Sequence, residues 1–164
     1  MADALVKRAS VRLALAEAVT PGKYLLVFSG EVAEVEESFK AAEAAGGTLI
    51  IDRLYLPQLA TGVARALEGK ADKMRPGDSI GIVETHTVSA AIKAADVAAK
   101  RAEVRLTQLH LARGIGGKGY FTIAGAQADV EAALEGAAAA IEPNLLVTTE
   151  IIQRPHRELS GPIF

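Results

Sequence analysis

Hydrophobic residues recur along this chain in two rhythms. Val11, Leu13 and Leu15 fall two apart, with Arg12 and Ala14 between them, which predicts a strand over 11–19. Before it, Leu5, Val6 and Ala9 predict the end of a helix within 1–10. Thr20-Pro21-Gly22-Lys23 reads as a turn, because proline fixes φ and glycine accepts the φ that other residues avoid. An apolar run over 24–29 predicts a buried strand that Gly30 breaks. Val32, Val35, Phe39 and Ala42 then follow helical spacing within 31–45, with Glu31 and Glu34 suited to the positive end of the helix dipole. Gly46-Gly47 ends that helix, and residues 48–55 read as a further strand that Pro57 stops. A short helix or irregular stretch over 58–67 leads into the polar, turn-rich residues 69–78.

The second half repeats the rhythm. Residues 79–84 predict a strand, and Thr87 is an acceptable cap for a helix with Val88, Ala91, Ile92, Ala95, Ala99 and Ala102 on its apolar face. A strand over 104–111 follows, its alternation slipping at Thr107-Gln108, which suggests a bulge. A glycine-rich loop over 113–119, a strand over 120–124, a helix over 127–141 and a strand over 145–152 complete it.

The repetition is literal. At an offset of 93, eight of the twelve residues from Ala2 to Leu13 recur between Ala95 and Leu106. The match resumes at an offset of 95, where Gly22-Lys23, Gly30, Val35 and Glu36 pair with Gly117-Lys118, Gly125, Val130 and Glu131. One unit has therefore been duplicated. The second copy reads βαββαβ, the order of an α+β, ferredoxin-like split-βαβ sheet of four antiparallel strands with two helices on one face. The first copy reads αββαβ, without a counterpart of the strand over 79–84. The expected organisation is a first domain over 1–68 that is incomplete at its N-terminal side, a linker over 69–78 and a second domain over 79–164. A strand joined upstream or supplied by another chain would complete the first copy, since a missing central strand leaves backbone groups unpaired on both neighbours.

Composition narrows the chemistry. Each copy holds only a small core, so burial against a neighbour is expected. There is no cysteine, which removes disulfides, thiolate nucleophiles and thiolate metal sites. The formal net charge of −2 gives no reason to expect nucleic acid or an anionic membrane as partner. No apolar run approaches the ~20 residues that span a bilayer, and no signal sequence is evident, so a cytoplasmic protein is the default expectation. The loop Gly114-Ile115-Gly116-Gly117-Lys118 is not a phosphate-binding loop: Ala112 stands where the first glycine belongs, Gly119 replaces Ser/Thr, and a strand follows. His86, His110 and His156 have no metal-ligand spacing, and no nucleophile–base pair can be assembled. No catalytic residue, metal or cofactor is expected.

The second copy resembles the bacterial microcompartment shell domain. The residues that carry the likeness are Gly81-Ile82-Val83-Glu84-Thr85, Ala94-Ala95-Asp96, Lys100, the loop over Gly114–Lys118, and Arg154-Pro155-His156; the first copy is a weaker match. Two fused, unpermuted copies are similar to the tandem-domain shell proteins of the propanediol-utilisation type. The resemblance implies a structural subunit of a microcompartment shell, not an enzyme. It implies homotrimers that form flat pseudohexagonal tiles, self-assemble with other shell proteins, and pass small metabolites through a central pore. It implies pore-lining loops at Thr20, Pro21, Gly22 and Lys23 and at Arg113, Gly114, Ile115, Gly116, Gly117 and Lys118. It also implies tile-edge residues at Lys7, Lys100, Arg154, Pro155 and His156, the first copy having Leu56-Pro57-Gln58 instead of the last three. Some relatives hold an iron–sulfur cluster through a cysteine at the position of Thr20, and this chain has none. Threefold symmetry would gather Lys23, Arg113 and Lys118 near one axis and make the pore mouth positive. The reading from a different class is a ferredoxin-like regulatory trimer that binds a small effector between subunits.

Overall fold

The computed structural model describes residues 1–160. They pack as two units, Met1–Pro57 and the chain from Gln58 on.

The first unit contains α1 (Ala2–Arg8), β1 (Arg12–Val19), β2 (Lys23–Ser29) and α2 (Val32–Gly46). β1 and β2 form an antiparallel hairpin in which Arg12 faces Ser29 and Leu13 faces Phe28, with an irregularity between Leu13 and Leu15. Leu5 of α1 is fully buried, and the buried Ser38 of α2 donates its hydroxyl to the Leu5 carbonyl at 2.9 Å. Arg8 joins the same helices from outside through Glu37, at 2.5 Å. Hydrogen bonding from Arg8, then from Lys40, holds the Glu37 carboxyl below its ordinary pKa. Phe39 lies between Phe28 and Tyr55, at centroid distances of 6.5 and 5.9 Å. Desolvation, then the neighbouring Glu36 carboxylate, raises the Tyr55 phenol above its usual range.

Residues 48–55 do not form the expected strand. A single 3-10 turn at Gly47–Leu49 is followed by chain that joins no ladder. The reason is pairing rather than propensity. In the second unit the corresponding strand pairs only with the strand over 79–85, and the first copy has no counterpart of it among the described residues.

The second unit contains α3 (Thr61–Leu67), β3 (Ser79–Thr85), α4 (Val88–Arg101), β4 (Arg105–Leu111), β5 (Gly119–Gly125), α5 (Gln127–Ala139) and β6 (Leu146–Ile152). All neighbours in the sheet are antiparallel, in the order β4-β5-β3-β6, which is the expected split-βαβ arrangement. Thr87 caps α4, its hydroxyl accepting the Ala90 N–H at 3.1 Å. The register shifts between Leu106 and Gln108, where the alternation slips, and the displaced Thr107 shares a 2.7 Å hydrogen bond with Thr122. Arg105 faces Ala124 and Leu106 faces Ile123, the same pairings at the same offsets as in the first hairpin.

Glycine lets α4 and α5 sit close to the sheet. A Cβ at Gly119 would lie 2.7 Å from Ala91, and one at Gly81 would lie 2.8–3.1 Å from Val130, Ile123 and Leu134. Both substituents would clash with α4 and α5 respectively. Phe121, Ile123 and Val83 are fully buried on the face beneath these helices, and Ile80, their neighbour on the opposite face, is fully buried as well.

Residues 58–68 were expected with the first copy, but they pack with the second unit. Val63 of α3 is fully buried, and α3 lies against β4 and α4. The connector that follows is held as well. Asp72 donates its N–H to Leu106 at 2.9 Å, and Asp78 pairs with Arg105 and accepts the Arg75 N–H at 2.6 Å.

Candidate functional site: two turn loops and the lysine-bearing helices

The first expected pore loop is the β1–β2 turn. Thr20-Pro21 is a cis peptide, and Gly22, at φ +85°, donates its N–H to Val19 at 3.0 Å. Glycine suits that left-handed position. Lys23 opens β2 opposite Val19.

The second loop is longer and is closed by backbone bonds between Ala112 and Lys118, at 2.9 Å, and between Lys118 and Ile115, at 3.4 Å. Gly114, Gly116 and Gly117 all have positive φ, and Ala112 takes φ +63° without being glycine. That concentration of left-handed residues explains the glycine-rich sequence. His110 steadies the loop. Its ring Nε2 lies 2.5 Å from the Arg113 carbonyl, which can only accept, so Nε2 carries the proton. The same ring stacks on Tyr120 at 4.9 Å and 12°.

Lys118 is not an uncompensated cation. Its ammonium lies 2.8 Å from the Glu84 carboxylate, both partly exposed. The cross-strand register explains the meeting, since His110 faces Tyr120 and Tyr120 faces Glu84 across three neighbouring strands. The sequence reading identified neither His110 nor Glu84 as part of this cluster. Their signal is visible only once the register of β3, β5 and β4 is fixed.

Among the expected edge residues, Lys100 is the most constrained. Its ammonium donates to Asp96 at 2.6 Å and to the Gln58 carbonyl at 2.5 Å. Asp96 is only 4% exposed, and its other oxygen accepts the Ala60 N–H, at 2.7 Å, at the start of α3. One carboxylate thus ties the start of α3 to α4 and aims Lys100. The equivalent pair in the first unit, Asp3 and Lys7, is linked at 2.8 Å but is largely exposed on both sides. Arg154 is exposed, with φ +50°, and leads through Pro155 to the exposed His156, whose Nδ1 lies 3.4 Å from the Glu158 N–H.

Among the described residues no cluster of three or more acidic or histidine side chains could hold a metal, and no helix is long and apolar enough to cross a membrane.

The BMC domain matches this chain twice, over residues 1–59 and 79–155. The bacterial microcompartment shell protein PduT of Citrobacter freundii is 39% identical over 160 residues, which cover 96% of this chain and 85% of that protein. A crystal structure of a microcompartment protein from Desulfitobacterium hafniense superposes with a TM-score of 0.87 at 34% identity, covering 96% of this chain and 88% of that one. A fused, permuted hexameric shell protein from the RMM microcompartment superposes less closely, with a TM-score of 0.61 at 26% identity over 85% of this chain and 72% of that one. With two copies of one domain in a shared hairpin register, this chain belongs to the BMC-domain family of bacterial microcompartment shell proteins.

Proposed function

We propose that three copies of this shell subunit form a pseudohexagonal tile, with the loops over 20–23 and 113–118 around a central pore for passive passage of small metabolites. The observation that carries this reading is the duplication. Two units with the same hairpin register and the same bulge stand in one chain, so a threefold assembly presents six near-equivalent units. Lys7, Lys100, Arg154, Pro155 and His156 then form tile edges that meet neighbouring shell proteins. The function is structural, without a catalytic step. Lys100 suits an edge role because Asp96 and Gln58 fix its direction while 47% of its side chain is exposed. Glu84 moderates the positive charge of the second loop, so selectivity rests on loop shape and on the Lys118–Glu84 pair together.

Electron microscopy of cells overproducing the protein tests the proposal. Extended sheets, tubes or closed shells are expected. Dispersed particles without lateral contacts, at high expression, would refute tile formation.

A further inference from the structure

Each copy is followed by a short segment, and the second unit shows how the first of these segments docks. Two landmarks fix their register. The 3-10 turns at Gly47–Leu49 and Pro143–Leu145 lie 96 residues apart, and so do the helical turns that open at Thr61 and Arg157. At that offset Gln58 stands at the position of Arg154, Ala60 at that of His156 and Val63 at that of Leu159. This is two residues from the match expected along the chain at Pro57 and Pro155.

The segment over 58–63 covers one side of α4. The Gln58 carbonyl accepts from Lys100 at 2.5 Å, the Ala60 N–H donates to Asp96 at 2.7 Å, and Val63 is fully buried. A Cβ at Gly62 would lie 3.9 Å from Leu106, which is buried too. The receiving residues recur in the first unit at an offset of 93: Asp3 for Asp96, Lys7 for Lys100 and Leu13 for Leu106. There they are open. The side chains of Asp3 and Lys7 are 76% and 73% exposed, against 5% for Asp96, and Leu13 is 37% exposed, against 1% for Leu106. The second segment is open as well, with Arg154 and His156 exposed and Leu159 half-buried.

We propose that residues 154–159 of one protomer dock on α1 and Leu13 of a second copy of this chain. The Arg154 carbonyl accepts from Lys7, the His156 N–H donates to the Asp3 carboxylate, and Leu159 covers Leu13. Both polar contacts are charge-assisted, as their counterparts at Lys100 and Asp96 are. The occupant is a second copy because the contact seen within the chain runs from the end of one copy onto the next copy in order. Repeated between chains it is a head-to-tail contact, which closes into a ring when the rotation allows. The inference rests on the threefold reading and specifies its junction: the neighbouring chain aims Lys7 as residues 58–60 aim Lys100.

The chain has no cysteine, so a pair can be introduced cleanly. Protein carrying Asp3→Cys and His156→Cys, shown to be trimeric by native mass spectrometry, is treated with a short bis-maleimide. Denaturing gels are expected to show linked species of two and three chains and none larger, since each protomer carries one receiving site and one segment. Asp3→Ala removes a largely exposed side chain, so it is expected to leave the circular dichroism unchanged. It is expected to weaken the trimer about tenfold or more, read as the concentration at which it dissociates. Trimers that link only within a chain or not at all, or unchanged dissociation in Asp3→Ala, would overturn the docking and leave the threefold assembly standing. Wild-type protein that forms no trimer would overturn the threefold reading itself, and this contact with it.

Discussion

Replacing Asp96 with alanine tests whether one carboxylate holds the start of α3 against α4. The side chain is buried and makes two charge-assisted contacts, to the Ala60 N–H at 2.7 Å and the Lys100 ammonium at 2.6 Å. A hydrogen bond to a charged group contributes ~1.5–3 kcal/mol. The Lys100 contact counts for less, because its ammonium is partly exposed and rehydrates when released, leaving roughly 0–1 kcal/mol for the ion pair. Asp96→Ala is therefore expected to destabilise the second unit by about 2–3 kcal/mol. Urea unfolding reads this as a fall in midpoint of about 1 M, given slopes of ~1–3 kcal/mol per molar. Amide exchange of Val63 and Ala64 in α3 is expected to accelerate more than that of β5, because the lost contact anchors the start of α3. Lys100→Ala is expected to cost less, with a coupling of about 0.5–1 kcal/mol between the two changes. A loss below about 0.5 kcal/mol for Asp96→Ala, with α3 exchange unchanged, would refute the anchoring role.

Three further outcomes follow from particular contacts. Gly81→Val places a side chain against Val130, Ile123 and Leu134 and is expected to cost about 1–3 kcal/mol in urea unfolding; a neutral effect would show that α5 shifts freely. Glu84→Gln releases Lys118 from its carboxylate and is expected to raise passage of a small anionic probe across assembled tiles relative to a cationic one; equal effects on both probes would dissociate this pair from selectivity. Glu37 has a lowered folded-state pKa, so the stability it contributes is present above its ordinary value of 4.5 and is lost as pH falls through the lower folded value. Exchange of α1 amides is expected to quicken over that acidic window in the wild type and to show a weaker dependence in Arg8→Ala; identical profiles would assign the acid sensitivity elsewhere.

Much of the architecture was legible along the chain because it is local or repeated. The recurrence of Ala2–Leu13 at 95–106 identified the two units, and the slip at Thr107-Gln108 located the bulge. What was not legible depends on contacts distant in sequence. Residues 48–55 have the composition of a strand, but a strand needs a partner, and theirs has no counterpart among the described residues of the first copy. Residues 58–68 follow the first copy in order, but Asp96, 36 residues beyond Ala60, draws them onto the second. The partial neutralisation of Lys118 is not visible along the chain because Glu84 lies 34 residues away and meets it only through the register of β3 and β5. The edge lysines looked equivalent in sequence, yet Asp96 is buried where Asp3 is exposed.

The central claim is that duplication within one chain serves a threefold assembly. Native mass spectrometry of the purified protein tests it most directly. With a chain mass of 17.1 kDa, a trimer of about three times that mass is expected as the dominant species. A predominantly monomeric or dimeric protein, still folded and at concentrations well above micromolar, would contradict it.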